Sequence, residues 1–337
     1  MRDGMLKATS KATGNVGAVG TIEYDHRSNR LKGLLVETIR TSKGIRDAIG
    51  IAKEAERKDP QATRTTFRAF VNSNFLKNTL HMLGTSGTND IEGYRIEAIV
   101  PAGGAVAGCS MVYFGKNSPS RTPEIEIVKA EMQSLACVLS GNGSAVGANA
   151  IARAKSNGYE ISQISGGLGE RDIGTLVGLY KEAYLRYTSE ISLDTIRKMI
   201  GDGKHVFVAR DQTGGIVSNF MVEERAIELS SGEKTMLYEL SDSATFQKDR
   251  GRGLITALIV KTVDSLRALN PSAIIYGEAR AQSVPINKAM KGAGLEYCGT
   301  LPFHCELEAD RISNYNSRYE NLNVWYAPFN GKIAGAL

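Results

Sequence analysis

The sequence predicts a two-domain α/β protein from three features. The chain has 337 residues, a length that suits two domains better than one. Segments with strand-like composition alternate with segments whose apolar residues recur at helical spacing. Near residue 250 a basic turn with two glycines joins a strand-like segment to a helix-like one. Together these features indicate sheet and helix packed in alternation, with a distinctive junction in the second half.

In the first half, strands and helices alternate. A charged turn at residues 25–30, flanked by strand-like sequence, predicts a hairpin over residues 24–36. Further strands are predicted over residues 65–71, 95–100 and 110–114, and helices over residues 45–57, 75–83 and 124–139. A linker-like stretch begins at Gly141. We therefore divide the chain near residue 160, into residues 1–158 and 159–337.

The second half continues the alternation. Predicted helices cover residues 176–185, 192–200, 254–263 and 284–293, and predicted strands cover residues 205–210, 215–227, 236–240 and 273–280. Two more strands are expected after the last helix, which stops at Gly294-Leu295. The order is therefore a helix pair, three strands, a helix, a strand, a helix and two strands.

The basic turn reads Arg250-Gly251-Arg252-Gly253 and opens a helix at Leu254. The first N–H groups of a helix have no intrahelical partner, and the helix dipole favours an anion there. Glycines allow a phosphate to approach the backbone closely, while Lys248 and the two arginines add positive charge. An ordinary strand-to-helix turn is the alternative reading. The spacing fits neither the Walker A pattern nor the dinucleotide pattern with three glycines.

Composition narrows the class of protein. No run approaches the roughly 20 apolar residues of a membrane span, and the N-terminus lacks the apolar segment of a signal peptide, so a cytoplasmic protein is expected. The four cysteines have no Cys-x-x-Cys spacing, and reduced thiols are expected, with no metal site. The net charge of +5 is dispersed apart from the basic turn, so nucleic-acid binding is not expected.

Arg-Gly-x-Gly-Leu after a strand, in this order of elements, resembles the coenzyme A loop of the GCN5-related N-acetyltransferase (GNAT) superfamily. Four segments are similar to the β-lysine N-acetyltransferases within it. They are residues 239–245 (ELSDSAT), 279–281 with Asn287 (ARA…N), 320–326 (ENLNVWY) and 93–101 (GYRIEAIVP). The resemblance implies a catalytic GNAT fold in the second half, a mixed central sheet flanked by helices. It also implies a degenerate GNAT-like first half that shapes the acceptor cleft or an oligomer interface, as in a homodimer.

This resemblance implies acetyl-coenzyme A as cosubstrate. Ala244 and Thr245 would hold the pantetheine arm, and the amides from Gly251 to Leu254 would bind the diphosphate. Lys248, Arg250 and Arg252 would add charge, and Asn287 would contact the arm or, alternatively, cap its helix.

An amine of pKa near 10 is protonated at neutral pH, so a carboxylate must accept its proton. Glu239 and Asp242 lie on the strand before the loop. Their spacing places them on opposite faces of a regular strand, whereas a bulge of the kind found in the superfamily would re-aim one of them. Both are retained, with Glu239 preferred as base. Asp242 could instead cap the loop.

The acceptor is expected to be a small amine resembling β-lysine. Arg280 would hold its carboxylate, unless it pairs with Glu278 or Glu239, and the other expected acceptor contacts are Tyr187, His304 and Asn323. The chain departs from the family around Tyr187 and around His304. Met290 stands where many relatives have the tyrosine that protonates the thiolate, so Tyr297, Tyr326 or water would replace it. A longer acyl donor, a protein amine, or binding without catalysis are the alternatives.

Overall fold

The computed structural model describes residues 20–26, 28–86, 90–103, 106, 108–121, 125–141, 149–164, 168–184, 190–201, 205–230, 232–306 and 319–329. These residues form a mixed α/β fold, as the sequence predicts. No helix in this part of the chain is long and apolar enough to cross a membrane. The four cysteines are free thiols.

Among the described residues, the first half has six strands and two helices before residue 120. Its strands are β1 (Gly20–Asp25), β2 (Arg30–Ile39), β3 (Arg64–Asn72), β4 (Asp90–Ile91), β5 (Tyr94–Ala102) and β6 (Cys109–Asn117). Its helices are α1 (Ser42–Lys58) and α2 (Ser73–Ser86). The buried face of α1 carries Ile45, Ile49 and Ala52, so the predicted helical face packs on the sheet.

The remaining helices are α3 (Ile125–Ser140), α4 (Ala150–Ser156), α5 (Glu170–Ala183), α6 (Leu193–Gly201), α7 (Leu254–Leu269) and α8 (Val284–Gly292). The remaining strands are β7 (Glu160–Gln163), β8 (His205–Arg210), β9 (Ile216–Glu228), β10 (Lys234–Thr245), β11 (Ile274–Arg280), β12 (Glu296–Cys305) and β13 (Glu320–Tyr326). The predicted order from α5 to β13 is confirmed, while α4 and β7 were not predicted.

One continuous sheet runs through both halves, in the order β1-β2-β3-β6-β5-β12-β13-β11-β10-β9-β8-β7, with β4 paired to β5. The halves join where β5 meets β12, at the pair Ala98 and Gly299. A Cβ at Gly299 would lie 2.2 Å from the Glu97 carbonyl oxygen, so the junction requires glycine. The division into residues 1–158 and 159–337 stays a prediction.

The sheet bends so that its two halves pack against each other. Phe70, Val100 and Met111 of the first half share one buried cluster with Leu237 and Ile274 of the second. Hydrophobic burial stabilises this contact, because each fully buried side chain of this size contributes about 1.5–3 kcal/mol. The bend brings charged residues of β2 and β3 to the strands where the catalytic residues were predicted.

Helices α3 and α4 pack on the second half, although they precede residue 158. Val138, Ala150 and Ala154 are buried in the same cluster as Leu254 and Leu258 of α7. The second half therefore draws part of its core from the segment before the predicted boundary.

Candidate active site

A cleft opens where two parallel strands separate. Strands β10 and β11 pair from Leu237 with Ile274 to Leu240 with Gly277, and no further. Beyond that point β10 continues beside β9, and β11 continues beside β13. A Cβ at Gly277 would meet Leu240 at 3.0 Å, so glycine permits the close approach at the branch point. The resulting cleft has a volume of about 1200 Å³.

A β-bulge, which can re-aim a carboxylate, lies at the branch point. The register of β10 against β9 shifts between Ser241 and Ser243, and Asp242 between them has φ 28°. The Tyr180 hydroxyl donates to the Asp242 carbonyl at 3.1 Å, and the Tyr184 hydroxyl donates to the Ser243 carbonyl at 2.7 Å. These two tyrosines of the α5 region hold the bulge open by satisfying its carbonyl groups.

Asp242 lines the cleft. Burial raises the pKa of its carboxyl from the ordinary value of 3.8 to about 7, because desolvation disfavours the charged form. A carboxylate with a pKa near the working pH is well suited to accept and release a proton. Among the described residues of the cleft, Asp242 has the properties expected of a general base.

Glu239 also lines the cleft, but its surroundings hold it ionised. It accepts hydrogen bonds from Arg68 at 3.1 Å and from the Tyr276 hydroxyl at 2.5 Å, and Lys32 lies 3.9 Å away. Burial would raise the pKa of Glu239, but the charges of Lys32 and Arg68 and these hydrogen bonds outweigh burial and hold it at about 2. A carboxylate with so low a pKa has little affinity for a proton, so Glu239 is less suited than Asp242 to the role of base, and the assignment of the base stays a prediction.

We expect Arg68→Met to destabilise the protein by about 3–5 kcal/mol, because it leaves the buried Glu239 carboxylate without its guanidinium partner. Arg68 has 8% of its side chain exposed and lies over the rings of Tyr113 and Tyr276. Urea unfolding at pH 7 measures the change. The control is Arg57→Met, since the Arg57 side chain is 74% exposed and its replacement should change stability by less than about 0.5 kcal/mol. Equal effects of the two substitutions would contradict the role given to Arg68.

The glycine turn closes one end of the cleft. A short 3₁₀ turn at Gln247–Asp249 follows β10, and α7 begins at Leu254. Gly251 and Gly253 both have φ 76°, a left-handed conformation that side chains with a Cβ rarely adopt. Six of the predicted coenzyme A residues line the cleft, namely Ala244, Thr245, Arg250, Gly251, Gly253 and Leu254.

Two basic residues that were predicted to contact coenzyme A, Lys248 and Arg252, do not line the cleft. Lys248 lies beside Glu182 and Phe246, outside the cleft. The Arg252 guanidinium lies 5.8 Å from the Tyr159 ring and is also outside. Of the basic residues predicted in this turn, Arg250 is the one that lines the cleft.

Asn287 is buried and is saturated by protein partners. Its amide donates to the Arg280 and Ser283 carbonyls at 2.8 and 2.9 Å, and its oxygen accepts from Asn323 and Trp325, each at 3.0 Å. These bonds tie α8 to β11 and β13. The expected contacts of Asn287 with the cofactor and of Asn323 with the acceptor are therefore replaced by a structural role.

The remaining residues predicted to contact the acceptor lie in different surroundings. Arg280 lines the cleft and pairs with Glu320 at 2.6 and 2.7 Å, not with Glu278 or Glu239. His304 is 1% exposed and does not line the cleft, since it lies between Arg64 at 3.4 Å and Glu278 at 3.5 Å. Burial and the neighbouring cations lower the pKa of His304, so it is neutral. Tyr187 lies outside the described residues.

Several residues that line the cleft belong to none of the sequence motifs described above. Asp25, Arg30 and Lys32 enter from β1 and β2 of the first half, and Arg153 enters from α4. Their positions depend on the bend of the sheet and on the packing of α4, which local patterns do not encode. Tyr184 was within a predicted helix but was not assigned a role.

Tyr297 and Tyr326 were expected as candidate acids for a leaving thiolate, with water as the alternative. The Tyr297 hydroxyl bonds to Thr300 at 2.7 Å, and neither Tyr297 nor Tyr326 lines the cleft. Met290 and Tyr184 do line it. Burial, together with the charge of Asp242, raises the pKa of Tyr184, so its hydroxyl keeps its proton at neutral pH.

No protein-family model matches the chain, and no curated protein matches it. Similar solved structures include Arabidopsis thaliana NAA60 in complex with acetyl-CoA, with 14% identity over 51% of this chain and 99% of that one, and a TM-score of 0.41. A GNAT superfamily phosphinothricin acetyltransferase from Sinorhizobium meliloti has 15% identity over 51% of this chain and 89% of that one, with a TM-score of 0.40. Spermidine N-acetyltransferase from Vibrio cholerae, in complex with CoA and spermine, has 16% identity over 50% of this chain and 95% of that one, with a TM-score of 0.37.

Proposed function

We propose that the chain is an acetyl-coenzyme A-dependent N-acetyltransferase acting on a primary amine of a small, amino-acid-like substrate. The observation that supports this best is the cleft between the diverging strands β10 and β11. It has a glycine turn and a helix N-terminus at one end, and a carboxyl group with a pKa of about 7 in its wall. Together these supply an anion site, a strand edge and a base.

The donor would lie along β10. From Ser241 to Thr245 this strand pairs with β9 on one side, and no described strand pairs with it on the other. The amides of a pantetheine arm are extended and can pair with such an edge, as an added strand does. The diphosphate would then meet the free N–H groups at the start of α7, next to Arg250.

The acetyl transfer would run by direct attack. Asp242 accepts one proton from the ammonium group, and the neutral nitrogen then attacks the thioester carbonyl carbon. The carbon–sulfur bond breaks as the amide forms, and the thiolate departs. The second proton lost by nitrogen balances the thiolate charge, by way of water or the Tyr184 hydroxyl that lines the cleft.

The charged residues of the cleft indicate which class of acceptor it could bind. Lys32 comes from the first half, has 32% of its side chain exposed, and lies 3.9 Å from its carboxylate neighbour, Glu239. It can hold a substrate carboxylate more readily than Arg280, which is already paired twice with Glu320. An acceptor with both an amine and a carboxylate, such as β-lysine, matches this arrangement.

A diamine or polyamine acceptor is a second candidate, favoured by the excess of acidic groups. The acidic residues that line the strand-built end of the cleft are Asp25, Glu223, Glu239, Asp242 and Glu278. The basic residues there are Arg30, Lys32 and Arg280. A polycation would be attracted to such a surface.

The test uses acceptors that differ in one group. The full-length protein is mixed with acetyl-coenzyme A and with lysine, β-lysine or ornithine, and separately with cadaverine, which is lysine without its carboxylate. Thiol release and product mass are followed. Preferential acetylation of the amino acids supports the first candidate, and preferential acetylation of cadaverine and spermidine supports the second. Coenzyme A binding without acetylation of either class directs the search to longer acyl donors, peptide amines or a non-catalytic role. Absence of coenzyme A binding would overturn the proposal.

A further inference from the structure

The end of the cleft at the glycine turn collects positive charge from three separate elements. Arg153 comes from α4, Arg250 comes from the turn, and Lys288 and Lys291 come from α8. The acidic residue among the described residues lining this end is Asp249, which is 7% exposed and accepts a hydrogen bond from Tyr159 at 2.8 Å. Like charges brought together from different elements repel one another unless an anion lies among them.

Arg153 has the most informative position in this set. Arg153 lies on α4 between Ala150 and Ala154. Both alanines are buried against α7, and this packing of α4 directs the Arg153 side chain toward the glycine turn. A terminal nitrogen of its guanidinium lies 3.2 Å from the position a Cβ would take on Gly253, the residue that caps α7.

This placement brings two positive charges close together. The N-terminus of a helix carries a partial positive charge of roughly half an elementary charge, which repels a guanidinium. No carboxylate among the described residues pairs with Arg153 in an ion pair or side-chain hydrogen bond. The side chain is exposed to solvent and lines the cleft, so it is available to a ligand. Phosphate oxygens between the guanidinium and the helix N–H groups would turn both contacts into attractions.

We infer that Arg153, although it precedes the predicted catalytic half, is a binding residue for the diphosphate of the acyl donor. The inference rests on the proposed function, because it assigns a residue to the donor end of the same cleft. The first half then contributes to both ends of the cleft: Lys32 near the acceptor and Arg153 at the phosphates. The guanidinium binds and orients the donor, and takes no part in the proton transfers.

The test separates binding of the donor's phosphates from binding of its thioester arm. Arg153→Ala and Arg153→Lys are compared with the control Lys155→Ala, which removes an exposed cation two residues away that does not line the cleft. The dissociation constant of coenzyme A is measured by calorimetry. Initial rates are measured with acetyl-coenzyme A and with S-acetylpantetheine, which has the thioester arm without the diphosphate or nucleotide.

We expect Arg153→Ala to raise the dissociation constant of coenzyme A and the KM for acetyl-coenzyme A about 10- to 100-fold, with kcat unchanged. Arg153→Lys should recover part of the loss, and Lys155→Ala should have no effect. The KM for S-acetylpantetheine should stay the same in all three variants. Equal losses for both donors, or no loss for coenzyme A, would overturn the inference. If the wild-type protein binds no coenzyme A, the proposed function itself fails, so the two failures are distinguishable.

Discussion

We expect Asp242→Asn to lower kcat for acetyl transfer by about 10²- to 10⁴-fold, because asparagine cannot accept the proton of the attacking amine. The side chain lies in a bulge whose carbonyls are held by Tyr180 and Tyr184, and asparagine keeps nearly the same volume there. The dissociation constant of coenzyme A should therefore stay within about twofold of the wild-type value, since removal of the base affects the chemical step rather than donor binding.

The pH dependence gives an independent reading of the same residue. A general base must be deprotonated, and burial raises the pKa of Asp242 to about 7. At saturating amine, kcat of the wild-type protein should fall below about pH 7, approaching tenfold per pH unit, and should level off above it. Glu239→Gln is the matched control and should keep the inflection, because the pKa of Glu239 is about 2. Loss of the inflection in Glu239→Gln but not in Asp242→Asn would reverse the assignment of the base.

Asp242→Asn should also stabilise the protein at alkaline pH. The pKa of Asp242 is raised from 3.8 to about 7 on folding, so the folded state binds more protons than the unfolded state between these values. Stability contributed by this group is therefore lost as pH rises from about 4 to about 7, and the cost persists above pH 7. We expect Asp242→Asn to raise the free energy of unfolding by about 2–4 kcal/mol at pH 8 and by little at pH 4. Urea unfolding at the two pH values measures the difference, and a gain of equal size at both would contradict the ionisation described for Asp242.

We expect Gly253→Val to raise the dissociation constant of coenzyme A by about 100-fold or more. Gly253 has φ 76°, caps α7 and lines the donor end of the cleft. Valine would place a branched side chain where the phosphates approach the helix N–H groups. Its Cβ would lie 3.2 Å from the Arg153 guanidinium. Left-handed backbone also costs a non-glycine residue about 1–2 kcal/mol.

The matched control is Gly214→Val. Gly214 has nearly the same backbone conformation, φ 79°, with nothing within 4 Å of its Cβ position, and it does not line the cleft. Both variants should lose a similar amount of thermal stability, whereas only Gly253→Val should lose coenzyme A binding by calorimetry. Equal binding by the two variants would contradict the assignment of the turn as the diphosphate site.

The sequence is sufficient to predict the local features of the site. The helix that begins at Leu254 and the two glycines before it follow from apolar periodicity and from conformational preference, which act over a few residues. The expected bulge is present between Ser241 and Ser243. Periodicity could not determine which of the two carboxylates is suited to act as base, because the pKa of each depends on partners distant in sequence.

Those partners come from the bend of the sheet. Arg68 and Glu239 are separated by 171 positions, and their contact holds the predicted base ionised. Asn287 and Asn323 have polar side chains suited to a ligand, yet they bond to each other because α8 packs over β13. Such pairings depend on tertiary packing, and no local pattern distinguishes a buried structural amide from one that faces a substrate.

The most direct test of acetyl transfer is a single-turnover experiment at pH 8 with wild-type protein in excess over acetyl-coenzyme A, in the presence of lysine, cadaverine or spermidine. We expect release of one thiol for each acetyl-coenzyme A bound and formation of one acetylated amine, with both abolished on this timescale in Asp242→Asn. Thiol release that is as fast in Asp242→Asn as in the wild-type protein, or complete absence of acetylated amine with every acceptor, would contradict it.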